Sequence, residues 1–231
     1  MTKQQKIAEW FDQTYKIRGN AYLRPKEAYY IFLQLLEVKM GQSILDVACG
    51  LGRLLAVAEE KGLAPTGIDI SKVAIEHCRQ KLPSISSIIR NAEELPFEAL
   101  SFDYVTCLGS LERMLDRDKV LQEIKRVLKN EGTICLLVRN SNSWKWKFIK
   151  KPLGLINKQG HQDAMSLEEW IALLERNGLK VTNTYCDQWP LMKFKYLSTF
   201  GFWRKFEKTQ LSPLPIKFAN EFVFLVKKIK Q

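Results

Sequence analysis

The chain has 231 residues, 46% of them hydrophobic and 26% charged. This is enough apolar material for one globular α/β domain and its core, and too much for a disordered chain. Its net charge of +11 suits an anionic partner such as nucleic acid, an acidic membrane surface or a phosphorylated substrate, without choosing among them. The start, M-T-K-Q-Q-K-I-A-E-W, leads into no apolar run of the signal-peptide kind. No stretch reaches the roughly 18 uncharged apolar residues of a membrane span, so the expected location is cytoplasmic.

Taken in chain order, residues 26–38 place Ala28, Ile31, Phe32, Leu35 and Leu36 on one helical face. Residues 43–47 form a short apolar run that stops at a glycine cluster, as a buried strand does. A helix over 53–61 is closed by Gly62. A second strand spans 65–70, and Ser71 caps a helix running to Leu82. Strands follow at 85–89 and 102–107. A helix over 118–128 carries Val120, Leu121, Ile124, Val127 and Leu128 on one face, and a fifth strand spans 133–138. Ser166 caps a helix through Arg176, with Glu168 and Glu169 in its first turn and Gly178 after it. Two final strands lie at 179–185 and 221–227. This alternation predicts a Rossmann-like, doubly wound α/β sheet with helices on both faces, mostly parallel with an antiparallel last strand.

The whole chain, 1–231, reads as one domain, with residues 1–24 as an N-terminal cap segment. Two basic-aromatic stretches, 140–165 and 188–219, break the rhythm and read as substrate-recognition insertions. The first holds Lys145, Lys147, Lys150, Lys151 and Lys158 among Trp144, Trp146 and Phe148. In the second, seven aromatics between Trp189 and Lys208 interleave with cations. Such stretches suit stacked bases, a membrane interface or a hydrophobic anionic substrate; a lid of core aromatics with solvated lysines fits equally. Five cysteines (49, 78, 107, 135 and 186) contain no Cys-x-x-Cys pair, and the two histidines, His77 and His161, lie far apart. That spacing argues against a zinc cluster or disulfide framework.

The most informative segment is I-L-D-V-A-C-G-L-G-R, from Ile44 to Arg53. A strand runs into a turn with Gly50 and Gly52, where the backbone can approach a ligand closely. In the G-x-G-x-x-G dinucleotide pattern a third glycine would stand where Leu55 does. Asp46 in this loop would repel a pyrophosphate and suits a cationic amino-acid ligand, which points away from a nicotinamide dinucleotide and toward an adenosyl-amino-acid. Asp69, nineteen residues after Gly50, ends the second strand, where a carboxylate accepts from both ribose hydroxyls.

These motifs resemble the class I methyltransferases that use S-adenosylmethionine, in particular the ubiquinone/menaquinone-type group. The likeness extends from about Ala21 to Tyr185. It implies S-adenosylmethionine as cofactor, with Asp46, Ala48, Gly50 and Gly52 in the first motif. Asp69 would hold the ribose, and Ile70 would pack on the adenine. N-A-E-E-L-P-F, from Asn91 to Phe97, resembles the family's third motif with asparagine in place of the usual aspartate; Asn91 would face the adenine amino group and Ala92 would offer its N–H. Leu108 would lie near the sulfonium, and Tyr22 and Arg24 would fold over the cofactor, the arginine pairing with its carboxylate.

Methyl transfer to oxygen or carbon also needs a base. Glu112 and His161 are the catalytic candidates, Glu112 sharing its position with an ordinary surface helix-start carboxylate. Arg113 stands where the family often has histidine. Asn140, ending the fifth strand, is a candidate substrate contact, and Asp103 reads as structural. The function expected is methyl transfer to a small-molecule, hydrophobic or anionic acceptor, with peripheral contact to an anionic membrane surface allowed by charge. An RNA methyltransferase and a non-catalytic S-adenosylmethionine-binding protein are the alternatives; nucleic acid is the less favoured partner because no RNA-binding module is recognisable.

Overall fold

The computed structural model describes residues 1–143, 147–148, 152–153, 163–187, 216 and 219–229. Most of both basic-aromatic stretches, with His161 and the tryptophans at 144, 146, 189 and 203, lies outside the described residues.

Seven strands form one sheet in the order β3-β2-β1-β4-β5-β7-β6. They are β1 (Ser43–Val47), β2 (Ala64–Asp69), β3 (Ser86–Ile89), β4 (Phe102–Leu108), β5 (Leu128–Arg139), β6 (Leu179–Cys186) and β7 (Glu221–Lys228). The first five are parallel, and β7 inserts antiparallel between β5 and β6. Strand order reverses between β1 and β4, which opens a crevice at their carboxyl ends.

The helices are α1 (Lys3–Arg18), α2 (Tyr30–Leu36), α3 (Arg53–Glu60), α4 (Lys72–Lys81), α5 (Arg117–Val127) and α6 (Leu167–Arg176). Because the strands are covered on both faces, their alternate residues feed two separate cores. Leu45, Val105, Leu136, Phe222 and Phe224 pack with α5 and α6 through Leu121, Ile124 and Trp170. Ile44, Tyr104, Cys135, Leu137 and Val223 pack with α2 and α3 through Phe32, Leu54 and Val57. All five cysteines are free and buried. Asp103 joins β1 to β4 and β5: it accepts from the Ser43 N–H and hydroxyl and pairs with Lys129 at 2.9 Å.

Two expectations change. The single helix over 26–38 is a 3-10 turn (Lys26–Tyr29) followed by α2. Pro25 fixes an extended entry, and Glu37 ends the helix at φ 53°. Residues 3–18, not assigned from sequence, form the longest helix among those described. Its capping box (Thr2 with Gln5) and its inward face (Ile7, Phe11, Tyr15) were readable signals.

Trp170 is fully buried and donates its indole N–H to the Arg139 carbonyl at 2.9 Å. Trp170→Ala should cost about 3–5 kcal/mol in urea unfolding, while Trp170→Phe, losing mainly the hydrogen bond, should cost clearly less.

Candidate functional site

The loop after β1 is held in a left-handed backbone. Ala48, Gly50 and Gly52 have φ of 60°, 53° and 75°, and Ala48 is the residue there that carries strain, a frequent mark of a binding loop. A Cβ on Gly52 would meet Leu82 Cδ1 and Cys78 Sγ at 2.8 and 2.9 Å, and one on Gly50 would meet the Tyr15 hydroxyl at 2.8 Å. Gly52 serves helix packing, whereas Gly50 keeps open the space beneath α1.

Asp69, at the end of β2 and 4% exposed, braces this loop. Its carboxylate accepts from the Gly50 N–H and the Ser71 N–H, both at 2.8 Å. Each oxygen has a second lone pair for a ligand hydroxyl. Burial raises Asp69 to about 6 against the lowering effect of these backbone donors. Asp46, also 4% exposed, is raised to about 7 by burial and by Asp69, opposed by the Thr106 hydroxyl that donates to it at 2.7 Å.

A cavity of about 50 Å³ lies between α1 and the strand ends. Its walls include Ala48, Asp69, Ile70, Asn91 and Ala92, with Ile7, Phe11 and Tyr15 of α1 as the roof. Five residues predicted to touch the cofactor therefore meet in one place. Asn91 accepts from the Glu93 N–H at 3.1 Å, which fixes its amide. Side chains of α1 thus cover this cavity. Asp12 fastens α1 across the entrance by accepting from the Ser71 hydroxyl at 2.5 Å and the Val73 N–H at 3.1 Å.

Other candidates lie elsewhere. Arg24 does not face the cavity. Its guanidinium is bidentate to Asp187 at 2.8 and 2.7 Å and also reaches Glu221 at 2.6 Å, so it is already neutralised. Tyr22 packs edge-on against Tyr15 and accepts from Arg113 at 3.4 Å. Leu108 packs against the core shared by α2 and α3. Glu112 is not a surface carboxylate: it is 0% exposed, 3.2 Å from Arg139, and outside the cavity walls. Asn140 is buried, donating to the Ala219 carbonyl and accepting from the Asn142 N–H, both at 2.8 Å. The feature that sequence reasoning missed is Arg113 in the cavity wall.

A glycine loop and a β2-terminal carboxylate lie beside the reversal point of a parallel sheet, the arrangement of Rossmann-like nucleotide sites, and the charged residues of the cavity wall are Asp69, Arg90 and Arg113. Residues 45–136 match the methyltransferase domain family. The ubiquinone/menaquinone biosynthesis C-methyltransferase of Campylobacter jejuni is 30% identical over 155 residues, covering 59% of this chain and 65% of that protein. The demethylmenaquinone methyltransferase of Listeria welshimeri is 37% identical over 126 residues, covering 51% and 53%. The chain thus spans less than two thirds of the length of these curated relatives. Among solved structures, the 1,6-didemethyltoxoflavin-N1-methyltransferase of Burkholderia thailandensis, bound to 1,6-didemethyltoxoflavin and S-adenosylhomocysteine, superposes with a TM-score of 0.64. It is 15% identical, over 100% of this chain and 92% of that one. Residues 45–136 thus carry the likeness to a methyltransferase domain, and the fold is shared with the solved methyltransferase.

Two expectations follow from the acids and the roof. Asp46 and Asp69 hold protons more tightly in the folded chain than in the unfolded one. Their contribution to the stability of the unliganded protein is fully present below about pH 4 and is lost as pH rises through 6 and 7. A cationic ligand selects the ionised acids, so S-adenosylmethionine affinity should rise from pH 5 to 8 more steeply than that of uncharged methylthioadenosine, as calorimetry would read. Asp12→Ala should lower stability by about 1 kcal/mol and speed ligand association in stopped-flow fluorescence.

Proposed function

We propose that the protein transfers the methyl group of S-adenosylmethionine to a small-molecule acceptor, a hydrophobic ring compound of the quinone type. The observation that carries this reading is the convergence of Ala48, Asp69, Ile70, Asn91 and Ala92 on one cavity behind the glycine loop. The quinone class is suggested by what the Campylobacter and Listeria relatives are named for.

The residues present fit such a cofactor. Gly50 leaves room that a side chain would fill, and Asp69 retains acceptor capacity for ribose hydroxyls. Ile70 offers an apolar face for the adenine, with Asn91 beside it. Asp46 and Asp69 together supply negative potential for a ligand carrying positive charge. When bound, the cofactor supplies a methyl group on a positive sulfur with a good leaving group. The chain's part is to orient the reactants and keep water out. The roof of Phe11 and Tyr15 on α1 would close behind the ligand.

Glu112 would act as a positioning residue, since it holds Arg139 at the end of β5. His161, outside the described residues, is proposed as the base on sequence grounds. His161→Asn should lower kcat about 100-fold or more, with S-adenosylhomocysteine binding unchanged by calorimetry.

The direct test supplies methyl-labelled cofactor with a short-chain demethylmenaquinone and, separately, with bulk RNA. Label in the organic-extractable product is expected. Label only in RNA, or none in either, contradicts the reading.

A further inference from the structure

Arg113 lies on the short 3-10 turn after β4 (Leu111–Arg113) and lines the cavity beneath α1. It is only 9% exposed, and its Nη1 has no hydrogen-bond partner among the described residues. None of the ion pairs among the described residues involves it. Its guanidinium faces Trp10 and Phe11, 5.7 and 5.5 Å from their ring centres, and one long hydrogen bond of 3.4 Å reaches the Tyr22 hydroxyl. Aromatic faces attract a cation but give Nη1 no acceptor. A guanidinium stays charged when buried, so a charge is held here without a counterion among the described residues.

The contrast with Arg24 is direct. Arg24 has two carboxylates around it, whereas Arg113 is in no ion pair among the described residues and lines the cavity. The same cavity wall holds Asp69. Uncompensated positive charge and buried acid at one site match a ligand that carries both signs.

Resting on the proposed cofactor use, we infer that Arg113 is the receptor for a carboxylate on the ligand held beneath α1. The planar fork of a guanidinium pairs with a carboxylate through two parallel N–H···O bonds. Two sources carry that group: the amino-acid end of the adenosyl cofactor, or a carboxylated acceptor. The chemistry at Arg113 is the same for both.

Calorimetry on the full chain separates them. S-adenosylhomocysteine, methylthioadenosine (which lacks the amino-acid end) and benzoate, added to protein saturated with S-adenosylhomocysteine, are titrated into wild type, Arg113→Met and Arg113→Lys. Thermal unfolding checks that each variant folds, and the lysine variant keeps the charge if the methionine variant does not fold. If the carboxylate is the cofactor's, Arg113→Met weakens S-adenosylhomocysteine about ten-fold or more, a single strong hydrogen-bonded pair's worth. Methylthioadenosine is then unaffected, and Arg113→Lys is intermediate. If it is the acceptor's, S-adenosylhomocysteine binding is unchanged, and benzoate binds wild type but not Arg113→Met. Equal effects on S-adenosylhomocysteine and methylthioadenosine, or no difference between wild type and variants for any ligand, overturn the assignment of Arg113 alone. Failure of wild type to bind either adenosyl ligand overturns the cofactor reading and this inference with it.

Discussion

The site depends on one buried carboxylate. Asp69 ties the N–H of Gly50, in the loop after β1, to the N–H of Ser71, at the start of α4. The ends of two adjacent strands are thereby tied together. Sheet register supports the brace, since Asp46 pairs with Gly67 and Val47 with Ile68, leaving the β1 loop beside the end of β2. A buried acid is costly unless donors surround it. Backbone N–H groups stabilise Asp69, yet burial still raises its pKa. Asp69 thus keeps acceptor capacity for hydroxyl donors.

A second network lies at the ends of β5, β6 and β7. Arg24, from the chain's first segment, meets Asp187 after β6 and Glu221 at the start of β7, and Arg139 sits between Glu221 and Glu112. Burial pushes Glu221 up to about 7 in spite of Arg24. Asp187 and Glu221 flank the second basic-aromatic stretch in sequence. Ion pairs of this kind contribute more to geometry than to net stability.

Much of the fold was legible because a sheet buried on both faces writes apolar runs into the sequence, and glycine and serine punctuate them. Ser43–Val47 and the helices capped by Ser71 and Ser166 stand where the pattern placed them. The insertion of β7 between β5 and β6 was not legible, since a strand's neighbours depend on tertiary pairing and not on its own period. Gly50, Asp69 and Asn91, fixed by local backbone needs, stood out from spacing and family resemblance, and the structure places Asp69 and Asn91 in the cavity wall. Arg24 and Glu112 were misplaced because their partners, Asp187, Glu221 and Arg139, are distant in sequence. Arg113 showed only as a departure from a familiar pattern; its missing counterion is a property of the packed structure.

The central claim is that this braced pocket receives an adenosyl-amino-acid. The most direct measurement is a calorimetric comparison of S-adenosylmethionine, S-adenosylhomocysteine and NAD on wild type and Asp69→Asn, a variant that keeps the side chain's shape. The account predicts that both adenosyl-amino-acid ligands bind wild type, that the variant binds them at least about ten-fold more weakly, and that NAD does not bind. Undiminished binding by a folded Asp69→Asn variant, or preference for NAD, would contradict it.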